Sequence, residues 1–292
     1  MDRPGPCYAL RASHPEKPRP MTTNRRPLNA VKRRLQAGEV AVVTAGHSGS
    51  ADTIDLMGSL GLDGFWIEGE HGPLSWERLG DQSRAADLWG MSALVRVSRL
   101  DASLIVRALS LGAHGIVVPG VRTADEARAI VRAVKFAPAG ERGVTLGRRS
   151  YGQPGFLHEE NAGTVVVVQL EDPEALANAE AIAAVEHLDV AMVAQNDLAQ
   201  SMGHLGNPAH PEVQRAMAST LARIAALGPG HAVAGANIAK ATEVAATLAL
   251  GVRFLYASYD AWLGAAARDY LGAVRSAPAT GKPCPPNPSA PA

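Results

Sequence analysis

Short apolar runs rich in β-branched residues recur along the middle of the chain, and a stretch with helical signals follows each of them. This alternation is typical of a parallel sheet that is built from β-α units. Eight runs predict eight strands, at Val40–Thr44, Gly64–Glu68, Ala93–Val97, Gly115–Pro119, Thr164–Leu170, Val190–Ala194, Ala232–Gly235 and Arg253–Ala257.

Two of the intervening helices have clear starts in the sequence. Thr123 and Glu126 have the spacing of a capping box, and Asp172 precedes Pro173 as a capping residue precedes a first-turn proline. Eight β-α units in about 250 residues predict a single TIM barrel, the (β/α)8 fold. An open doubly wound sheet is the alternative, but no Gly-x-Gly-x-x-Gly motif follows the first strand. We therefore expect no nucleotide or organic cofactor.

Proline-rich segments distinguish both ends of the chain from its middle. Residues 1–27 and 276–292 are predicted to be disordered tails, and residues 28–275 are predicted to form the barrel. The first tail has two other interpretations, a targeting extension or sequence that precedes a true start at Met21. Its many prolines oppose the amphipathic helix of a transit peptide, which favours a disordered tail.

The charge balance excludes one class of partner. The chain has 28 basic and 28 acidic residues, but residues 1–35 hold nine basic residues and two acidic ones, which leaves 19 basic and 26 acidic residues in the body. A mildly acidic body offers no basic surface to a nucleic-acid backbone.

Cysteine usage and hydropathy indicate the compartment. Cys7 and Cys284 are the two cysteines of the chain, too few for a disulfide framework or a thiolate metal site. No apolar run approaches the roughly 18 residues of a membrane helix, and the N-terminus lacks the apolar region of a secretion signal. We expect a cytoplasmic protein without a membrane partner.

Polar residues at the strand ends are the candidates for chemistry, because active sites in TIM barrels lie at the carboxyl ends of the strands. The second strand leads into Glu68, Glu70 and His71, and the third strand carries Arg96. An ionisable group buried without a partner costs several kcal/mol, so this cluster is expected in a solvated cleft. Arg96 must face a carboxylate such as Glu68 or Glu70, or an oxyanion that develops on a substrate. His71 is a candidate general base, with a structural hydrogen-bonded histidine as the alternative.

The fifth and sixth strands contribute a second group of polar residues. Gln169 and Glu171 end the fifth strand, and Asn196 and Asp197 follow the sixth. Glu171 and Asp197 lie one β-α unit apart, so their carboxylates are able to converge on Mg²⁺ or Mn²⁺. The alternative is helix capping, for which Asp172 and Asp197 are well placed.

The lysine inventory distinguishes Schiff-base chemistry from metal-assisted enolisation. A Schiff-base lysine requires a desolvated position, normally on a strand in this architecture. Lys32, Lys135 and Lys240 are the lysines outside the tails, and none of them falls on a predicted strand. Metal-assisted enolisation therefore explains the cluster better.

Several collinear motifs give the chain a family resemblance. They are Gly69-Glu70-His71-Gly72-Pro73, Val95-Arg96-Val97, Gly115-Ile116-Val117-Val118-Pro119, Pro138-Ala139-Gly140-Glu141-Arg142-Gly143, Gln169-Leu170-Glu171 and Asn196-Asp197-Leu198-Ala199-Gln200-Ser201-Met202-Gly203. Over residues 28–275 the chain resembles the HpcH/HpaI aldolases, the class II pyruvate aldolases typified by 4-hydroxy-2-oxoheptanedioate aldolase.

The resemblance implies a metal-dependent lyase that cleaves 4-hydroxy-2-oxo acids to pyruvate and an aldehyde, or runs the reverse addition. Glu171 and Asp197 would hold the divalent ion, which is Mg²⁺ or Mn²⁺ with Co²⁺ as a further candidate, and pyruvate would chelate it. Arg96 would stabilise the enolate, His71 would exchange the proton with the aldehyde-derived hydroxyl, and Gln169 would orient a metal-bound group. The resemblance also implies a dimer-based homo-oligomer, up to a hexamer, in which the Ala261–Ala273 helix packs on a neighbouring subunit.

Three departures from the family pattern keep other activities open. Glu68 replaces the usual aspartate, Ala194-Gln195 replaces Gly-Pro, and Ser110 stands at the position of an aspartate that pairs with the histidine. Glu68 is hypothesised to compensate by reaching His71. The alternatives are an oxo-acid decarboxylase or a biosynthetic condensing enzyme that uses the same enolate, and a catalytically weakened barrel that binds a metal and an oxo acid.

The sequence also offers candidates for contacts with the substrate. Glu70, Gln169 and Asn196 are expected to contact the oxo acid. Arg149 lies in the long connection between the fourth and fifth strands, which is expected to overhang the site, so that Arg149 would bind a second carboxylate. A solvated loop is the alternative for this segment. His47, Ser48 and Ser50, after the first strand, are further candidates.

Overall fold

Residues 29–277 are described by the computed structural model, and eight parallel strands within them close into a barrel. Each strand pairs with the next, and the last strand pairs with the first. The strands are β1 Ala41–Ala45, β2 Gly64–Glu68, β3 Ser92–Arg96, β4 Gly115–Val118, β5 Val165–Leu170, β6 Val190–Val193, β7 Val233–Asn237 and β8 Phe254–Ser258. Every predicted strand is present with its ends displaced by two residues at most, which confirms the TIM barrel and excludes the open sheet.

Helices connect the strands on the outside of the barrel. They are α1 Ala30–Gln36, α2 Ala51–Ser59, α3 Trp76–Leu88, α4 Ala102–Ser110, α5 Ala124–Val134, α6 Phe156–Gly163, α7 Pro173–Ala177, α8 Ala179–Ala183, α9 Gln195–Ser201, α10 Pro211–Ala226, α11 Ala241–Ala249 and α12 Tyr259–Ser276. The Thr123–Glu126 capping box begins α5, and Asp172 caps α7, as the sequence predicts.

Alternating side chains divide the core into two clusters, because successive residues of a strand point to opposite faces of a sheet. Trp66, Leu94 and Val167 belong to the cluster that fills the barrel, whereas their strand neighbours Ile67 and Val95 belong to the cluster shared with the helices. The residues two positions after Trp66, Leu94 and Val167 therefore point along the barrel axis at its carboxyl end. We call this end, with the loops that lead into the helices, the mouth, and the opposite end the base.

The predicted tails lie outside the described residues, apart from residues 276 and 277, and both cysteines lie there too. Within residues 29–277, no helix has the length and apolar character needed to cross a membrane.

Candidate active site at the barrel mouth

Arg96 is the centre of the polar cluster at the mouth. It ends β3, and its Nη2 lies 2.6 Å from Glu68 Oε2, while its Nε donates to the same oxygen at 2.8 Å. Its Nη1 lies 2.7 Å from Glu70 Oε2 and donates to Gln169 Oε1 at 3.2 Å. The sequence offered Glu68 or Glu70 as the partner of Arg96, and the structure pairs it with both. These contacts hold the guanidinium at the mouth, where a substrate oxygen can approach it.

Glu68 ties Arg96 to the turn that follows β2. Its Oε1 accepts hydrogen bonds from the backbone N–H of Glu70 at 2.7 Å and of His71 at 3.0 Å. Burial acts to raise the pKa of Glu68, but the hydrogen bonds and charge of Arg96 and the two backbone N–H groups lower it overall. Glu68 therefore reaches the backbone of His71 and not its imidazole.

His71 stands at the open side of the mouth. Its side chain is 66% exposed, and its Nε2 lies 3.8 Å from Glu70 Oε2. The expected aspartate position, Ser110, is the last residue of α4 and lies at the base, where its Oγ donates to Val106 O at 2.7 Å. Because α4 leads away from the mouth, Ser110 lies at its far end, and no contact between Ser110 and His71 is found within residues 29–277.

Three carboxylates share the region beside Arg96. Glu171 follows β5, and its Oε2 accepts a hydrogen bond from the backbone N–H of Gly120 at 2.9 Å. Burial, and then the negative charges of Asp197 and Glu70, raise the pKa of Glu171 to about 7. Burial also raises the pKa of Glu70, with contributions from Glu68 and Asp197, although Arg96 opposes the shift. Carboxylates that raise one another's pKa in this way form a favourable site for a cation.

A cavity of about 280 Å³ lies next to these groups, and we call it the carboxylate cavity. Glu70, Gly120 and Glu171 are among the residues that line it. It thus opens directly onto two members of the carboxylate group.

The capping alternative is correct for one aspartate. Asp172 Oδ1 accepts from Ala175 N at 2.8 Å. Asp197 lies in the first turn of α9, and within residues 29–277 no hydrogen bond to its side chain is found. The N-cap of α9 is Ala194, so Asp197 is left available for a ligand. Gln195 begins this helix.

The structure places at the mouth eight of the nine residues to which the sequence assigned a catalytic, metal-binding or substrate-binding role. Gln169 is buried beside Arg96, and Asn196 is exposed in the first turn of α9. The group at the mouth consists of Glu68, Glu70, His71, Arg96, Gln169, Glu171, Asn196 and Asp197.

Arg149 is the exception, and its predicted contact with substrate is corrected by its position. Its Nη1 donates to Ala113 O at 3.1 Å, just before β4, and to Glu160 Oε1 at 2.7 Å. The connection that carries Arg149 follows α5, so it joins a helix to the next strand, and such connections lie at the base. The buried carboxylate of Glu160 holds Arg149 there.

Tyr256 contributes to the site and was missed. Its ring lies 4.7 Å from that of Trp66, and the Arg96 guanidinium carbon lies 5.4 Å from the Trp66 ring centre. Burial raises the pKa of Tyr256 to about 12, so its hydroxyl stays protonated. The alternation along β8 points Phe254 and Tyr256 into the barrel, and that pattern was available in the sequence.

The lysines occupy positions that do not suit a Schiff base. Lys32 lies in α1, Lys135 follows α5 and Lys240 precedes α11, so none is on a strand, as predicted. Lys135 has the lowered pKa of about 8 that such chemistry requires, through burial. Its Nζ, however, donates to Asn161 O and Thr164 O at the base, each at 2.7 Å.

Comparisons with known proteins agree with this geometry. A family model described as HpcH/HpaI aldolase/citrate lyase matches residues 47–255. The chain is 40% identical over 210 residues to the 4-hydroxy-2-oxovalerate aldolase of Rhodococcus jostii (strain RHA1), which covers 71% of this chain and 81% of that protein. It is 34% identical over 249 residues to the 4-hydroxy-2-oxo-heptane-1,7-dioate aldolase of Salmonella heidelberg (strain SL476), which covers 84% and 94% respectively.

A solved structure of the same family also matches this chain. The crystal structure of an HpcH/HpaI aldolase/citrate lyase family protein from Burkholderia cenocepacia J2315 matches with a TM-score of 0.78 and 31% identity. The match covers 85% of this chain and 100% of that one.

Proposed function

Because this chain belongs to the HpcH/HpaI aldolase/citrate lyase family, we propose that it is a divalent-metal-dependent carbon-carbon lyase. It cleaves 4-hydroxy-2-oxo acids to pyruvate and an aldehyde, or catalyses the reverse addition. The observation that carries the proposal is the group of mutually repelling carboxylates beside Arg96, in which the pKa of Glu171 rises to about 7. The names of the two aldolase relatives both describe 4-hydroxy-2-oxo acids, which supports this substrate class.

The donor set fits a hard divalent cation. Glu171 and Asp197 offer carboxylate oxygens of the kind that Mg²⁺ and Mn²⁺ prefer, with Co²⁺ as a further candidate. Burial is the main cause of the raised pKa of Glu171, and a bound cation would relieve the repulsion from Asp197 and Glu70 that adds to it. When bound, it would supply Lewis-acid polarisation of the 2-oxo group.

Arg96 stabilises the negative charge that develops on the substrate. Cleavage of the bond between C3 and C4 leaves its electron pair as an enolate, whose oxygen carries the charge. The guanidinium is held by Glu68 and Glu70 and therefore needs no reorganisation when this charge forms. Gln169 accepts from the same guanidinium and fixes its tilt.

His71 moves the proton that balances the reaction. Its imidazole takes the proton of the C4 hydroxyl as that oxygen becomes the aldehyde carbonyl, and a proton then returns to C3 to give pyruvate. The Glu70 carboxylate lies 3.8 Å from Nε2 of this imidazole. The exposure of His71 also allows a water molecule to carry the proton.

The proposal includes a homo-oligomer that covers α12. In this helix Tyr259 is the one buried residue, whereas Leu263, Tyr270, Leu271 and Val274 are exposed. An apolar helix face of this length is typical of a contact between subunits. Leu271→Asp should shift the species measured by light scattering towards the monomer, and an unchanged mass would contradict the contact.

A cytoplasmic enzyme is also part of the proposal, because the chain has two cysteines in all.

Pyruvate release tests the activity. The purified protein is offered 4-hydroxy-2-oxovalerate, 4-hydroxy-2-oxoheptanedioate and oxaloacetate, with Mg²⁺, Mn²⁺ or Co²⁺ and in parallel with EDTA. We expect metal-dependent release from the hydroxy-oxo acids that is lost in Asp197→Ala. Release from oxaloacetate alone would replace the aldolase by a decarboxylase, and no release with any metal would overturn the proposal.

A further inference from the structure

A second cavity of about 460 Å³ adjoins the mouth on the β1 and β2 side, and we call it the side cavity. It is lined by residues 46–51 after β1, by the end of β2, and by the first two turns of α3. Its volume is in the range of small-molecule sites. Glu68 lines this cavity and also holds Arg96, so the side cavity adjoins the proposed reaction centre through this residue.

The side cavity contains one cation whose charge is not balanced by a neighbour. Glu68 is paired with Arg96, and Asp81 is paired with Arg84 at 2.5 Å. Arg78 also lines the cavity, and within the described part of the chain no carboxylate lies within salt-bridge distance of its guanidinium. A carboxylate that enters the cavity would therefore meet an arginine without competition from an acidic side chain.

Two further features of the side cavity indicate a polar ligand. Gln82 is nine-tenths buried, lines the cavity, and its Oε1 has no hydrogen-bond partner in residues 29–277. A buried acceptor without a donor is costly, so a turn of the Gln82 amide towards a ligand hydroxyl or a ligand-bound water in the cavity would be favourable. Ser75 is the N-cap of the 13-residue helix α3 but makes no capping hydrogen bond, so the positive end of this helix also faces the cavity.

The loop that forms one wall of the side cavity is fixed in position by α12. The Tyr259 hydroxyl donates to Ser48 O at 2.6 Å and accepts from Ser48 N at 3.0 Å. His47 N donates to Asp260 Oδ2 at 2.9 Å, and His47 Nδ1 lies 3.0 Å from the same oxygen. A Cβ at Gly46 would lie 2.3 Å from the Tyr259 ring, so this approach requires glycine. The wall is thus preorganised, as a selective subsite requires.

We propose that the side cavity is the acceptor subsite of the enzyme and that Arg78 selects aldehydes that carry a carboxylate. The inference rests on the proposed function, because the aldehyde is the second product of the proposed cleavage. It also replaces Arg149, which lies at the base, as the residue that binds a second carboxylate. Arg78 acts on binding and takes no part in bond cleavage.

Acceptor selectivity in the addition direction tests the subsite. Pyruvate is combined with succinic semialdehyde, which has a carboxylate, or with butanal, which has the same chain length and no charge. We expect Arg78→Gln to lower kcat/KM for succinic semialdehyde about 10- to 100-fold, mainly through KM, since a charge-assisted hydrogen bond is lost. The value for butanal should change less than about twofold. Arg78→Lys should recover part of the loss, because it keeps the charge without the planar fork.

Arg215→Gln is the matched control, because it removes one positive charge from an exposed arginine of α10 that does not line the side cavity. It should leave both acceptors unchanged. Equal losses for the two acceptors in Arg78→Gln, or a wild-type enzyme without preference for the semialdehyde, would overturn the subsite.

Exchange of the C3 protons of pyruvate in D₂O, followed by NMR with Mg²⁺ or Mn²⁺, distinguishes a failure of the proposed function from a failure of the acceptor subsite. It reports the enolate chemistry without any acceptor. Exchange that is the same in wild type and Arg78→Gln, together with the selectivity change, supports both the proposed function and the acceptor subsite. Exchange without a selectivity change overturns the subsite alone, and no exchange overturns the proposed function and the subsite with it.

Discussion

The two ends of the barrel differ in how fully their carboxylates form ion pairs. At the base, the buried carboxylate of Glu160 lies 2.7 Å from Arg149 and 3.5 Å from Arg142. At the mouth, neither Glu171 nor Asp197 forms a salt bridge within residues 29–277, and burial, followed by the charges of Asp197 and Glu70, raises the pKa of Glu171 to about 7 although Arg96 opposes the shift. The ion pairs of Glu160 stabilise the base, whereas Glu171 and Asp197 at the mouth have no such partner within residues 29–277. Stability at the base and function at the mouth is the division known for TIM barrels.

A histidine illustrates the same contrast. At the base, His114 is buried, its Nδ1 accepts from Ala93 N at 3.0 Å and its Nε2 lies 2.8 Å from Asp87 Oδ1. Burial and Arg149 lower the pKa of His114, so the neutral ring donates from Nε2 to Asp87. At the mouth, the side chain of His71 is 66% exposed, and the proposed function assigns the proton transfer to it. Residue type alone does not distinguish these roles, but position along the β-α unit does.

The largest expected effect is the loss of activity in Glu171→Gln. Removing one carboxylate from the proposed metal site should lower kcat/KM for pyruvate release by about 10³-fold or more, because several kcal/mol of transition-state stabilisation depend on the cation. The melting temperature should not fall, since the substitution also removes repulsion from Asp197 and Glu70. Kinetics with saturating Mn²⁺ and differential scanning calorimetry of the metal-free protein measure the two quantities. Full activity in the variant would remove Glu171 from the site.

At the base, removing a carboxylate should lower stability and leave metal binding unchanged. Glu160→Gln leaves Arg142 buried without its carboxylate, and we expect a loss of about 3–5 kcal/mol in the free energy of unfolding. Metal binding at 25 °C should remain intact as long as the protein is folded. Glu141→Gln is the control, because Glu141 and Arg132 form an exposed pair, which should contribute at most about 1 kcal/mol. Similar losses for Glu160→Gln and Glu141→Gln in urea unfolding would contradict the contrast.

The sequence predicted the mouth well because strand periodicity determines it. Apolar runs identify each strand, the alternation of side chains aims Glu68 and Arg96 along the barrel axis, and the strand ends indicate the loops that carry function. Arg149 was misassigned because the capping box at Thr123 was not used to decide at which end the following connection lies. Arg78 carries no such signal, since its importance depends on which carboxylates are already paired, and pairing is a property of three-dimensional packing.

Arg96 at the mouth and Arg149 at the base should respond differently to substitution by lysine. Arg96→Lys keeps the charge but loses the fork that bridges Glu68, Glu70 and Gln169, so we expect kcat for pyruvate release to fall by about 10²- to 10³-fold. Arg149→Lys should change kcat less than about threefold and act mainly on stability. Steady-state kinetics and thermal unfolding of both variants measure this. A comparable loss of kcat in Arg149→Lys would mean that the base is coupled to the reaction.

The smallest expected effect is a pH dependence of the metal-free protein. The pKa of Glu171 is about 7 in the folded chain and near 4.5 when the chain is unfolded, so the folded state holds more protons between these values. Stability should therefore fall as pH rises from 5 to 8, by a few degrees in Tm, and the fall should be absent in Glu171→Gln. Burial acts to raise the pKa of Asp87, but His114 and Arg148 hold it well below its usual range, so Asp87 loses its contribution only in stronger acid. Saturating Mn²⁺ should reverse the trend in the wild type, because ionised Glu171 is the form that binds a cation. Parallel pH profiles for wild type and Glu171→Gln would show that the mouth is not held under repulsion, and the contrast between the two ends would then lose its electrostatic basis.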